Sequence, residues 1–100
     1  MCGFAGVCPS GDNGREEIKR MCDAIAHRGP DHFGYWKDDH TELMLGHRRL
    51  SIFDLTENGS QPMFSRNGRY VIVYNGEIYN ALDVKQELLE NGKVSDFRST

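Results

Sequence analysis

The sequence predicts an α+β fold, and three observations carry that expectation. Apolar residues recur at helical spacing over residues 14–26 and again from residue 81. Strand-type runs lie between them without a regular strand–helix–strand alternation, which disfavours a doubly wound parallel sheet. Asn67-Gly68 stands between two such runs, the sign of a two-residue hairpin and of antiparallel pairing. With 100 residues and 38% apolar content, the chain suits a single small domain with its own core.

Residues 3–8 read as a short buried strand, with Phe4, Ala5 and Val7 apolar and Gly3 and Gly6 permitting close backbone approach. Pro9-Ser10-Gly11-Asp12 breaks it. Asn13 followed by Glu16 resembles a capping box, and Ile18, Met21, Cys22 and Ile25 follow the i, i+3, i+4, i+7 rule, so a helix is expected over 14–26. Arg28-Gly29-Pro30 stops it, and Cys22, on the apolar stripe, reads as core. Residues 33–37 and 42–50 look like strands joined by the polar turn Asp38-Asp39-His40-Thr41, with Ser51-Ile52-Phe53-Asp54 continuing or leaving the second. Residues 55–62 read as loop. Residues 70–74, apolar at every position, should be covered on both faces. Asn80 with Asp83 suits an N-cap for a helix whose stripe is Ala81, Val84, Leu88 and Leu89 and whose end is Gly92. Residues 97–100 read as the start of a further strand or loop.

Composition narrows the function. A net charge of −3 leaves no electrostatic footprint for nucleic acid or an anionic membrane. No apolar run approaches the ~20 residues that span a bilayer, and the N-terminus lacks a signal-peptide layout. Cys2, Cys8 and Cys22 make an odd count of 3 without a C-x-x-C pair, which speaks against disulfides and zinc and for the reducing cytoplasm. The 4 histidines show no ligand spacing, so no metal is expected, and without a phosphate-cradling glycine loop no cofactor is expected in these residues.

The chemistry starts at Met1-Cys2-Gly3. Removal of Met1 makes Cys2 the N-terminal residue, a nucleophilic thiol whose own α-amino group can serve as its base. Asn75-Gly76 leaves an apolar strand just before a helix, where an Asn side-chain N–H and a Gly backbone N–H can point at one spot, the hardware of an oxyanion hole; a plain Asn-Gly turn is the alternative. Glu77 places a carboxylate beside it, fit to hold an ammonium group. Arg48 and Arg49 end a strand and face opposite ways, so one of them can clamp a substrate carboxylate, and the residues alone leave open which, or whether both are solvated. His27-Arg28-Gly29-Pro30-Asp31 reads chiefly as a helix stop with an Asp31–Arg28 contact, and secondarily as a loop lining the site.

Met1-Cys2-Gly3-Phe4-Ala5-Gly6, His27-Arg28-Gly29-Pro30-Asp31, Arg49-Leu50-Ser51-Ile52-Phe53-Asp54, Gln61-Pro62-Met63 and Asn75-Gly76-Glu77-Ile78-Tyr79-Asn80 together resemble the glutaminase domain of glutamine-hydrolysing asparagine synthetases, a type-2 (N-terminal nucleophile) glutamine amidotransferase. The resemblance covers essentially the whole chain, and its separate motifs fall in register. It implies a partial αββα sandwich of the N-terminal nucleophile hydrolase type, with mostly antiparallel sheets and helices packed outside. It implies that residues 1–100 are the N-terminal portion of the glutaminase domain, the remainder and the synthetase domain being absent. The implied reaction is hydrolysis of L-glutamine to glutamate and ammonia through a Cys2 thioester, Asn75 and Gly76 stabilising the oxyanion. Arg49 would bind the substrate carboxylate and Glu77 would help hold its ammonium. The ammonia would amidate aspartate in a parent synthetase that uses ATP and Mg, in the cytoplasm, with that parent's synthetase domain as partner and a homodimer of the parent as a further one. The family's Ser-Asp-x-Glu element would follow Thr100. A β-lactam synthetase is disfavoured by Cys2; an amidotransferase of surface-polysaccharide biosynthesis, a non-catalytic glutamine-binding piece and an inert fragment are the alternatives.

Overall fold

A computed structural model of the chain describes residues 2–8, 11–51 and 56–93. Its elements in order are β1 (Gly3–Val7), α1 (Gly14–Ala24), a 3₁₀ turn (Ala26–Arg28), β2 (His32–Lys37), β3 (Met44–Arg49), a second 3₁₀ turn (Glu57–Gly59), β4 (Met63–Phe64), β5 (Val71–Ile72) and α2 (Ala81–Glu90). The fold is α+β, with antiparallel sheets and two helices.

The central sheet has strand order β1-β3-β2, both pairings antiparallel. The β2–β3 hairpin closes where sequence places its turn: Asp38 accepts from the His40 N–H at 3.2 Å and from the Thr41 hydroxyl, and those bonds, the hydroxyl's first, hold its carboxyl below the usual pKa. Side chains alternate across a strand, so the sheet has two distinct faces. On the first face Ile18 and Cys22 of α1 close on Met44, with Ala5, Val7 and Phe33 packed around them. Gly46 makes this approach possible, since a Cβ there would fall 2.5 Å from the Cys22 sulfur. The expectation that Cys22 is core is met: it is fully buried, and burial raises its thiol pKa against the lowering effect of Arg48.

The second face is met by the β4–β5 hairpin. Phe64 sets its ring edge-on to Trp36 of β2 at 6.5 Å, and the Gln61 carbonyl lies so close to Gly34 that no side chain fits between them. The turn falls at Asn67-Gly68 but is not the two-residue hairpin expected: the ladder ends at Phe64 and Val71, the Gly68 N–H bonds Ser65 O at 2.9 Å, and Gly68 takes φ +72° while Asn67 keeps a negative φ.

Several expectations need correction. Helix α1 stops at Ala24 rather than Ala26: the Ile25 N–H bonds Cys22 O at 3.2 Å, and the chain tightens into the 3₁₀ turn. Neither Asn13 nor Asn80 makes a side-chain cap, because both have non-extended backbones (φ −103°, ψ 21° and φ −104°, ψ 29°) where a capping residue is extended. The run 70–74 is not covered on both faces: Tyr70, Ile72 and Tyr74 are exposed, Ile72 by 54%, since only Val71 and Ile72 find ladder partners and those partners are Met63 and Phe64. Helix α2 forms with its expected stripe but buries no residue, and Leu82 is 82% exposed. The strand or loop expected at 97–100, and residues 52–54 after Ser51, lie outside the described residues.

Candidate active site

Cys2 stands one residue ahead of β1, and the register that sets Gly3 opposite Arg48 brings Cys2 beside Arg49. A Cβ on Gly3 would meet Ile25 and Arg28, so Gly3 faces the α1 layer and, by alternation, Cys2 faces away from it. The half-buried thiol is held by the main chain of Leu50, whose N–H donates to Sγ at 3.3 Å and whose carbonyl accepts from it at 3.7 Å. The Cys2 carbonyl accepts from Arg28 Nε at 3.0 Å.

The segment 27–31 therefore wraps the Cys2 end of the sheet. The expected Asp31–Arg28 contact is not what holds it; Arg28 is engaged by Cys2, and Asp31 accepts from the Ser51 N–H at 2.8 Å while its own N–H donates to Arg49 O at 2.9 Å. Gly29 lies directly on the Arg48 carbonyl, a contact any side chain would destroy.

The two arginines separate cleanly. Gly46 faces α1, so Arg48 shares its face: Nε donates to Gly29 O at 3.1 Å and the guanidinium lies 5.7 Å over the Phe33 ring. Arg49 points to the second face, the one Cys2 faces, and is only 7% exposed. Its Nη1 donates to Thr56 O at 2.6 Å and reaches Ser60 Oγ at 3.4 Å.

His47, two residues back on the same face, is wholly buried, and no ligand-spacing rule singled it out. Burial pushes its pKa below the ordinary value of 6.5, aided by the neighbouring charges of His32 and Arg49 and opposed by its contact with Tyr74 O. That contact, Nε2 to Tyr74 O at 3.3 Å, ties the run leading to Asn75 and Gly76 onto the second face. Asn75 is half-buried, whereas Gly76 and Glu77 are exposed, and the Tyr74 ring folds back over Gly76. Among the described residues the hydrogen bonds around Cys2 come from Leu50 and Arg28, not from Asn75, Gly76 or Glu77. The described residues include no cluster of three or more His, Cys, Asp or Glu able to hold a metal, and no described helix is long and apolar enough to cross a membrane.

The sequence profile of the glutamine amidotransferase domain matches residues 1–100 in full. The chain belongs to the glutamine amidotransferase domain family. Curated relatives of this amidotransferase domain include asparagine synthetase [glutamine-hydrolyzing] 1 of Bacillus subtilis (strain 168), 45% identical over 97 residues that cover 92% of this chain and 15% of the relative. Amidase chry2 of Gibberella zeae is 44% identical over 78 residues, covering 78% of this chain and 12% of the relative. Asparagine synthetase [glutamine-hydrolyzing] 2 of Bacillus subtilis is 41% identical over 93 residues, covering 88% and 12%. The domain thus spans a small part of the length of its curated relatives, 15% of the first. No solved structure matches it significantly.

Proposed function

We propose that the chain carries the glutaminase half-reaction of a glutamine amidotransferase, with Cys2 as nucleophile. The observation that carries this reading is the arrangement at the end of β3: a half-buried thiol, held by the Leu50 main chain, beside a buried guanidinium that faces the same side of the sheet. A nucleophile next to an oriented cation suits a substrate with an electrophilic carbon at one end and a carboxylate at the other. L-glutamine has that form.

In this reading the α-amino group of Cys2, free once Met1 is removed, takes the thiol proton. Sγ forms a bond to the γ-carboxamide carbon, and Asn75 with the Gly76 N–H stabilises the oxyanion that results. The C–N bond breaks as the proton passes to nitrogen, ammonia leaves, and water hydrolyses the Cys2 thioester to glutamate. Arg49 holds the substrate carboxylate; the bond from Nη1 to Thr56 O sets the plane of its guanidinium, the pre-orientation a bidentate clamp requires. Glu77, exposed beyond Gly76, supplies a carboxylate for the substrate ammonium. The longer relatives are named asparagine synthetases that hydrolyse glutamine, which supports a further step in which the ammonia is passed on to make asparagine. In the proposed reading a synthetase domain of the longer protein, using ATP and Mg, would carry out that step on aspartate.

The test is release of glutamate and ammonia from L-glutamine by the full-length protein, together with mass-spectrometric trapping of the acyl adduct on Cys2. Cys2→Ala abolishes both. A wild-type protein that binds glutamine without turning it over overturns the catalytic reading and leaves a binding one.

A further inference from the structure

Resting on the glutaminase reading above, we propose that Gln61 and His47 form a clamp on the main chain of Tyr74 that positions Asn75 and Gly76, so that both are positioning residues for glutamine hydrolysis.

Gln61 reaches this position through its backbone. Its carbonyl is seated on Gly34 of β2, the residue paired with His47 across the hairpin, and only glycine leaves room for it. From that seat the side-chain carboxamide bonds one residue twice: Oε1 accepts from the Tyr74 N–H at 2.6 Å and Nε2 donates to Tyr74 O at 3.2 Å. This is the exchange of an N–H and a C=O that a facing residue provides in an antiparallel ladder. Gln61 thus acts as a one-residue strand for a stretch that has left the β4–β5 ladder.

His47 supplies the third bond, from below. A carbonyl only accepts, so Nε2 at 3.3 Å must carry the proton, which fixes the tautomer and leaves Nδ1 bare; that atom is buried and unpartnered among the described residues. An apolar side chain would fill this space without leaving a polar atom unsatisfied. What the imidazole adds is the donor to Tyr74. The two donors occupy both lone pairs of one carbonyl oxygen.

The grip is transmitted because the Tyr74 carbonyl and the Asn75 N–H belong to one planar peptide unit. Asn75, Gly76 and Glu77 make no hydrogen bond of their own among the described residues, so their placement follows from Tyr74. Misplacing a catalytic group by about 1 Å can cost on the order of 100-fold in rate.

The experiment is steady-state glutamine hydrolysis by the full-length protein and three variants. Gln61→Glu keeps the acceptor for the Tyr74 N–H and removes the donor to its carbonyl. His47→Asn is too short to reach that carbonyl, whereas His47→Gln carries an N–H about as far out as Nε2. The expected result is a kcat roughly 10- to 100-fold lower in Gln61→Glu and His47→Asn with KM little changed, and recovery of most of the loss in His47→Gln. Wild-type kcat in both impaired variants overturns the clamp, as does a KM effect without a kcat effect. Equal loss in His47→Asn and His47→Gln overturns the donor role of His47, showing that packing alone matters there. Should the His47 variants fail to fold, Gln61→Glu, at a half-buried site, decides alone. A wild-type protein without glutaminase activity overturns the glutaminase reading and the clamp's role together, which an active wild type with unaffected variants does not.

Discussion

On the proposed reading, exchanging each of the adjacent arginines for lysine should raise KM for glutamine in one variant and leave it unchanged in the other. Arg48→Lys loses an Nε–H bond to Gly29 O at 3.1 Å and a stacked contact 5.7 Å over Phe33. A hydrogen bond from a charged donor contributes about 1.5–3 kcal/mol and a half-buried cation–π contact about 0.5–1, so stability falls by roughly 2–4 kcal/mol. The residue faces α1, so KM for glutamine should not move. Arg49→Lys keeps the charge but loses the fork. One charge-assisted hydrogen bond is worth about 1.5–3 kcal/mol, which raises KM by roughly 10- to 100-fold. Its bonds to Thr56 O and Ser60 Oγ are weakened too, so stability also falls and does not discriminate between the variants. The deciding assay is glutamine-dependent kinetics on both, with denaturant midpoints to confirm folding. A KM rise in Arg48→Lys equal to that in Arg49→Lys would refute the assignment of the two faces to two jobs.

Asn75→Ala should lower kcat for glutamine hydrolysis by about 10²–10³-fold; in the synthetase proposed above, ammonia-dependent synthesis should survive, and equal loss of both rates would make Asn75 structural. Mass spectrometry of active protein should show Met1 removed, and a preparation that retains it should release no glutamate. His47 has a folded pKa depressed below 6.5, so between that lowered value and 6.5 the unfolded chain binds more protons than the native one. The His47 contribution is thus constant above pH 6.5, falls as the pH drops below it, and levels off beneath the folded pKa; denaturant midpoints compared with those of His47→Gln should show the variant losing this part of the slope.

Much of the fold was legible because it rests on local chemistry. Asp38 to Thr41 announces its turn through side chains that bond their own backbone, Asn67-Gly68 marks the place of its turn though not its length, and the Ile18–Cys22 spacing fixes which side of α1 meets the sheet. The caps failed because a capping residue type does not by itself set the backbone angles at Asn13 and Asn80. The covering of residues 70–74 failed because an apolar run states a preference and not what lies against it. At the site, alternation shows that Arg48 and Arg49 diverge, but the assignment of faces needs the contact of Gly46 with Cys22, between a strand and a helix far apart in sequence. The roles of Gln61 and His47 were invisible for the same reason: they meet Tyr74 across separations of 13 and 27 residues.

The bare backbone of Gly46 beneath the Cys22 sulfur also makes this interface a built-in recorder of its own opening. A thiol reagent cannot reach Cys22 while α1 lies on the sheet, and once attached its adduct has no space to return to, so each labelling event captures one separation of the layers irreversibly. Cys8, exposed at the end of β1, reacts in the closed molecule and serves as the internal clock against which that slower modification is timed.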